Sequence, residues 1–220
     1  MRLTFGPIFG LLLAFSTLAQ ARTEIHTTDD FAKITQEILA LANDERAEEI
    51  LVAFDIDKTL LIVQDCLPEG ESKGFAGWLK MANRCPAELT EKEVPAHIAA
   101  LQKKGFPTLA LTARAVNLMK ATERELTRNG IVFNGNPFDA AADFNVKFPK
   151  GEDLVFKEGV TYAAGRNKGF ILQQFQERQS RPFKKVIFVD DAIKNIRHMD
   201  KTYTADPDVT VIIYHYNRYE

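Results

Sequence analysis

Residues 51–60, Leu-Val-Ala-Phe-Asp-Ile-Asp-Lys-Thr-Leu, set two carboxylates one residue apart, Asp55 and Asp57, directly after a short apolar run. A run of that length ending in charge is the pattern of a buried strand that delivers acids to a sheet edge. In open α/β sheets ligands bind at this carboxyl edge. Two acids there fit a metal-assisted reaction in which one attacks and the other moves a proton. Three more polar signals occupy comparable places. Thr112 closes the apolar run 108–112 and is followed by Ala113 and Arg114; Lys168 opens a helical pattern; Asp190 and Asp191 end the run 185–189, with Asn195 shortly after. In a parallel sheet the three strand ends share one edge, and the helix start at Lys168 can reach it. Four carboxylates gathered within a few ångströms repel, and burial strengthens the repulsion. A divalent cation resolves the conflict, and oxygen-only ligands with retained waters suit Mg2+ better than zinc. With Lys168 added, the site is tuned for an oxygen-rich anion, with phosphate the foremost candidate. Thr112, backbone amides near Ile56, Asp57 and Ala113, and Lys168 are the expected holders of its oxygens.

The elements that must position these residues alternate along the chain. Thr28 or Asp29 can cap a helix carrying Phe31, Ile34, Ile38 and Leu41 on one face. A strand at 50–54 follows. Residues 64–90 read as an excursion from the sheet, with a short amphipathic helix over about 75–81. A helix over 92–104 ends at Gly105, a good stop signal. Then come a strand at 108–112, a helix over 115–129 and a short third strand at 131–133. Residues 134–166 are irregular, with a hairpin across 154–162 that is expected to fold over the site. A helix over 168–178, a strand at 185–189, a helix over 192–201 and a strand at 209–214 complete the pattern. This alternation predicts an α/β domain with a mostly parallel central sheet covered by helices on both faces.

Composition narrows the class. Hydrophobic residues make up 45% and charged residues 26%, which fits a globular chain. The formal net charge of −2 gives no basic field for nucleic acid. At the start, Arg2, the mostly apolar stretch from Phe5 to Phe15 and Ala19-Gln20-Ala21 match a secretory signal peptide. Residues 1–21 are therefore read as removed, leaving one domain over 22–220, periplasmic or secreted, with no stable membrane insertion after cleavage. No later run is long and apolar enough for a membrane helix. Cys66 and Cys85 are expected to form a disulfide in an oxidising compartment, two free thiols being the alternative. Trp78 and Phe75 are expected to pack within the first insert; the other reading is a wall for a substrate pocket. The four histidines are scattered, and each is expected to be structural or exposed.

These residues resemble a known family. Asp55-Ile-Asp-Lys-Thr-Leu, Leu111-Thr112-Ala-Arg, Asn167-Lys168-Gly and Val189-Asp190-Asp191 are similar, in order and spacing, to the four motifs of the haloacid dehalogenase-like phosphohydrolases. The signal peptide together with Thr112-Ala-Arg and Asp190-Asp-x-x-x-Asn195 resembles an exported bacterial branch of that superfamily. The resemblance implies a Rossmann-like core with small cap inserts at about 64–90 and 134–166. It implies Asp55 as nucleophile, forming an aspartyl-phosphate, and Asp57 as acid/base. It further implies that the Asp55 side chain, the Asp57 carbonyl and Asp190 hold Mg2+, with Asp191 in support. Asp191 could instead cap its helix, Asn195 could brace the metal or face solvent, and Arg114 could bind substrate or pair with an acid. The partner is a phosphorylated substrate that the inserts select. The alternative is a non-catalytic secreted binding protein that keeps the fold.

Overall fold

The computed structural model describes residues 23–133, 144–148, 151, 153–179, 181–206 and 208–219. The expected signal peptide and residues 134–143 of the second insert lie outside the described residues. The strands are β1 (Thr23–Thr28), β2 (Ile50–Phe54), β3 (Leu61–Val63), β4 (Ala87–Leu89), β5 (Thr108–Thr112), β6 (Phe144–Val146), β7 (Leu154–Lys157), β8 (Val160–Tyr162), β9 (Lys185–Asp190) and β10 (Thr210–Tyr216). The helices are α1 (Phe31–Leu41), α2 (Gly74–Arg84), α3 (Val94–Lys104), α4 (Met119–Arg128), α5 (Lys168–Gln176) and α6 (Ile193–Tyr203). Eight strands form one sheet in the order β1-β10-β9-β2-β5-β8-β7-β6. The first six of that order are parallel, and only the β7 and β8 and the β6 and β7 pairs are antiparallel. The architecture is thus the mostly parallel, helix-covered α/β sheet that the alternation predicts. No described helix is long and apolar enough to cross a membrane.

Strand β2 shows why the sheet needs two helical layers. All five of its residues are buried. Val52 and Phe54 point into one core with Phe31, Ile34, Ile38, Val94, Ile98 and Leu101 of α1 and α3. Leu51 and Ala53 point into the other, with Ile171, Leu172 and Phe175 of α5 and Ile196, Met199 and Tyr203 of α6. Successive side chains of a strand leave by opposite faces, so a continuous apolar run requires cover on both. Helix α5 lies close on α6 because Gly169 has no side chain. A Cβ there would sit 2.5 Å from Thr202 Oγ1 and 3.0 Å from the His198 carbonyl.

Several elements differ from the sequence expectation. β1 was not foreseen; its polar sequence reflects its place at the sheet edge beside β10. The cap of α1 is Asp30, which accepts from the Lys33 amide at 3.1 Å, and not Thr28 or Asp29. Residues 131–133 are not a strand. Ile131 and Phe133 are buried and Val132 is exposed, so the alternation is real. The backbone, however, is satisfied elsewhere: Ile131 N donates to Leu126 O, and Val132 O accepts from Gln102 Nε2. The hairpin at 154–162 forms, but it extends the sheet beyond β5 and does not fold over the site.

The first insert leaves the sheet at β3 and returns at β4, which pair antiparallel. Between them lie α2 and a Cys66–Cys85 disulfide. The polar helix α4 anchors this insert. Glu125 Oε2 accepts from the Ala87 amide at 2.8 Å, and Asn129 Nδ2 donates to the Ala87 carbonyl at 3.1 Å. Burial opposes ionisation of Glu125, but the Ala87 amide and Arg124 outweigh it and hold its pKa below the ordinary value of 4.5. Ionised Glu125 therefore stabilises the fold above that value, and the contribution disappears as pH falls through the lowered folded pKa. Glu125→Gln is expected to cost about 1–3 kcal/mol at pH 7. Its melting-temperature deficit against the parent chain should shrink on acidification below pH 4. Gly169→Ala, which drives a Cβ into Thr202, is expected to lose about 1–3 kcal/mol in denaturant unfolding.

Candidate functional site

The parallel neighbours β9, β2 and β5 end at Asp190, Phe54 and Thr112, so Asp55, Asp190 and Thr112 share the carboxyl edge of the sheet. Asp55 N donates to Val189 O at 2.8 Å, which extends the β2–β9 ladder to the first acid. Lys168, the first residue of α5, brings its Nζ between the two strand ends. It lies 2.5 Å from Asp55 Oδ1 and 2.6 Å from Asp190 Oδ2, and all three residues are buried. Asn167 caps the helix by accepting from the Phe170 amide, which fixes where Lys168 starts. Asp190 is further held by the Ala192 amide at 2.8 Å and by Asn195 Nδ2, 3.0 Å from each carboxylate oxygen. Asn195 therefore braces the acid and does not simply face solvent.

Asp57 is set by a tight turn. Leu60 N and Leu61 N both donate to Ile56 O, Lys58 N donates to Leu61 O, and Lys58 sits at a left-handed φ of 62°. The turn points the Asp57 carboxylate at Arg114, whose Nε and Nη2 donate to its two oxygens at 2.8 and 2.7 Å. Arg114 is buried, and its Nη1 donates to Thr122 Oγ1 on α4 at 3.0 Å. Of its two sequence readings, pairing with an acid is the one the structure adopts, but inside the site and not at the surface. Burial alone would weaken the guanidinium's hold on its proton; Asp57 more than compensates and raises its pKa. Thr112 is buried, and its hydroxyl accepts from the Arg114 amide at 3.1 Å, holding the start of the following loop.

The electrostatics define a deficit of positive charge. Burial pushes the Asp55 carboxyl well above the usual range; Lys168 opposes this and Asp190 adds to it. Burial would lower the Lys168 pKa, but Asp190 and Asp55 raise it, so the ammonium stays charged. One ammonium cannot neutralise this set, because Asp191 adds a further carboxyl that burial and Asp190 push up to about 6. Carboxylate oxygens of Asp55, Asp190 and Asp191 lie within 4.8 Å of one another. An all-oxygen group at that spacing, short of positive charge, can hold a hard divalent cation. Asp191 is thus in the ligand-forming cluster, whereas its sequence reading was support or a helix cap.

Sequence reasoning missed His215 and Met81, whereas Trp78 at a pocket wall is one of its two readings. His215 pairs in register with Asp190, and its Nε2 lies 3.0 Å from the Asp191 carbonyl. The signal was present: a polar residue at the end of a parallel strand, the criterion that found Asp55 and Asp190. Trp78 and Met81, at helical spacing on α2, line a cleft of about 470 Å³ together with Asp55, Asp57, Lys58 and Asp191.

The chain belongs to the family described as "Protein of unknown function (DUF2608)", whose model matches residues 72–220. No curated protein matches it. Among solved structures it is similar to the Class C acid phosphatase from Bacillus anthracis with tungstate bound, at 17% identity and a TM-score of 0.46. A second structure of the Class C acid phosphatase from Bacillus anthracis matches at 16% identity and a TM-score of 0.47. Each alignment covers 86% of this chain and 74% of the other.

Because Asp191 titrates near 6 in the cation-free protein, a bound cation must displace its proton at lower pH. Divalent-cation affinity measured by calorimetry is expected to fall by up to about tenfold per pH unit below that value. Asp191→Asn should weaken binding at pH 7.5 and flatten this dependence.

Proposed function

We propose that the chain is an exported phosphomonoester hydrolase of the haloacid dehalogenase-like type. The observation that carries the reading is the Lys168 ammonium seated between Asp55 and Asp190, beside an Asp57 held by Arg114. These positions match the four motifs in the sequence. The cleft opens on Asp55 and Asp57, and the disulfide fits an oxidising compartment.

In this reading an Asp55 carboxylate oxygen attacks phosphorus in line, and the ester P–O bond breaks. Asp57 must enter in its acid form to protonate the departing alkoxide; the carboxylate so formed then takes a proton from the water that cleaves the aspartyl-phosphate and releases inorganic phosphate. Arg114 fixes the direction of the Asp57 carboxylate, so that it faces the leaving oxygen in both steps. Lys168, Thr112 and the Ala113 amide hold the non-bridging oxygens, and Lys168 stabilises charge that builds on the transferred group. Asp55, the Asp57 carbonyl and Asp190, with Asp191 beside them, would hold Mg2+. That ion would neutralise the carboxylates and draw charge from the phosphoryl oxygens.

The mature chain with Mg2+ is expected to release phosphate from small phosphomonoesters. Chelation should abolish turnover, and Asp55→Asn should lower kcat by at least about a thousandfold, far more than any unfolded fraction read from its thermal melt accounts for. Full activity in Asp55→Asn, or none in the parent chain on any phosphomonoester, would overturn the reading.

A further inference from the structure

The first insert does more than close a loop. Every insert residue on the wall of the main cleft is apolar: Ile62, Val63, Trp78 and Met81. The charged and polar groups there come from the sheet edge, as Asp55, Asp57, Lys58 and Asp191, and from the first turn of α6, as Asn195. The cleft is therefore divided into a charged end for the reacting group and an apolar end for whatever is attached to it. Trp78 also borders a second cleft of about 360 Å³, lined by Phe75, Leu79, Arg114 and Leu118 among others, so its ring is a partition between two open spaces.

Packing within the insert does not account for these rings. The buried residues of α2 are Gly77 and Ala82, while Phe75 is 74% exposed. Phe75 and Trp78 lie one turn apart and stack, with centroids 5.9 Å apart and planes 19° from parallel. Leaving Phe75 in solvent forgoes burial that the chain could otherwise gain, and its ring backs a Trp78 that is only half-buried. Gly77 fixes this arrangement, because a Cβ there would lie 2.2 Å from the Ser72 backbone. The disulfide joins Cys66 to the C-cap of the same helix.

We infer that Trp78 and Met81, with Ile62 and Val63, form a leaving-group subsite for a planar aromatic ring beside the phosphoryl position. This rests on the phosphatase reading and adds its substrate class. A flat ring gains offset stacking on the Trp78 face, and Met81 supplies a soft, adaptable edge. A polyol or charged leaving group would lose its hydrogen bonds against the same wall.

The test uses 2-phenylethyl phosphate against propyl phosphate, both esters of simple primary alcohols. The parent chain should favour the phenyl ester in kcat/KM by about three- to tenfold, and the preference should fall towards unity in Trp78→Leu and less far in Phe75→Ala, which removes only the ring stacked on Trp78. Phe75 is exposed, so its removal leaves the fold intact. Binding is read separately from turnover. Trp78 is the only tryptophan in the chain, and its fluorescence in Asp55→Asn should respond to the phenyl phosphonate at lower concentration than to the propyl phosphonate. Aromatic preference in binding without hydrolysis of either ester would uphold the subsite and remove the phosphatase reading. Equal turnover of the two esters, with Trp78 fluorescence unresponsive, would overturn the subsite and leave the phosphatase reading standing. No binding and no turnover would overturn both.

Discussion

The buried ammonium of Lys168 between Asp55 and Asp190 is the constraint on which the rest of the structure depends. Two carboxylates closing adjacent parallel strands lie too close to be buried together without compensation. The cation that relieves them comes from a helix packed on the far side of the sheet core, not from either strand. Its placement requires Asn167 to start α5 at one point and Gly169 to let that helix approach α6. The remaining positive charge is still short of the negative, which leaves the edge competent to recruit a cation and an anion.

A second ionic contact divides the labour among the acids. Asp57 is one residue from Ile56 and two from Asp55, but the turn at Lys58 carries it away from the ammonium and onto the Arg114 fork. Asp57 thus has a cation of its own, whereas Asp55 and Asp190 share Lys168. The fork runs on through Thr122 to α4, and α4 in turn holds Ala87 at the base of the first insert. The insert, the acid/base position and the helix beneath them therefore form one connected unit. Movement of the insert would be felt at Asp57 through packing and hydrogen bonds rather than through a hinge. The resulting cleft is polar where the sheet ends and apolar where the insert covers it.

The family match and the site geometry bear on different questions. Membership rests on residues 72–220, whereas Asp55 and Asp57 precede that span; the fold brings them to Lys168 and Asp190, which lie inside it. A sheet order that places β2 between β9 and β5 is what joins the two stretches into a single site.

Much of this was legible along the chain. Continuous apolar runs at 50–54, 108–112 and 185–189 determined buried strands, because only a strand covered on both faces tolerates such runs. Acids directly after them determined a charged sheet edge, and Gly105 determined where α3 stops. Residues whose partners are distant were not legible. The alternation at 131–133 satisfied the pattern of a strand, but no neighbouring strand was free to pair with it. Arg114 turned inward to Asp57, and His215 came beside Asp190, only through the order of strands. Phe75 and Trp78 carry the same apolar signature whether packed or left open at a cleft. Local sequence sets what a segment can become, since periodicity and caps act within a few residues. Which charges meet, and which rings stay exposed, is decided by chain reversals that bring together residues from 22 to 113 positions apart.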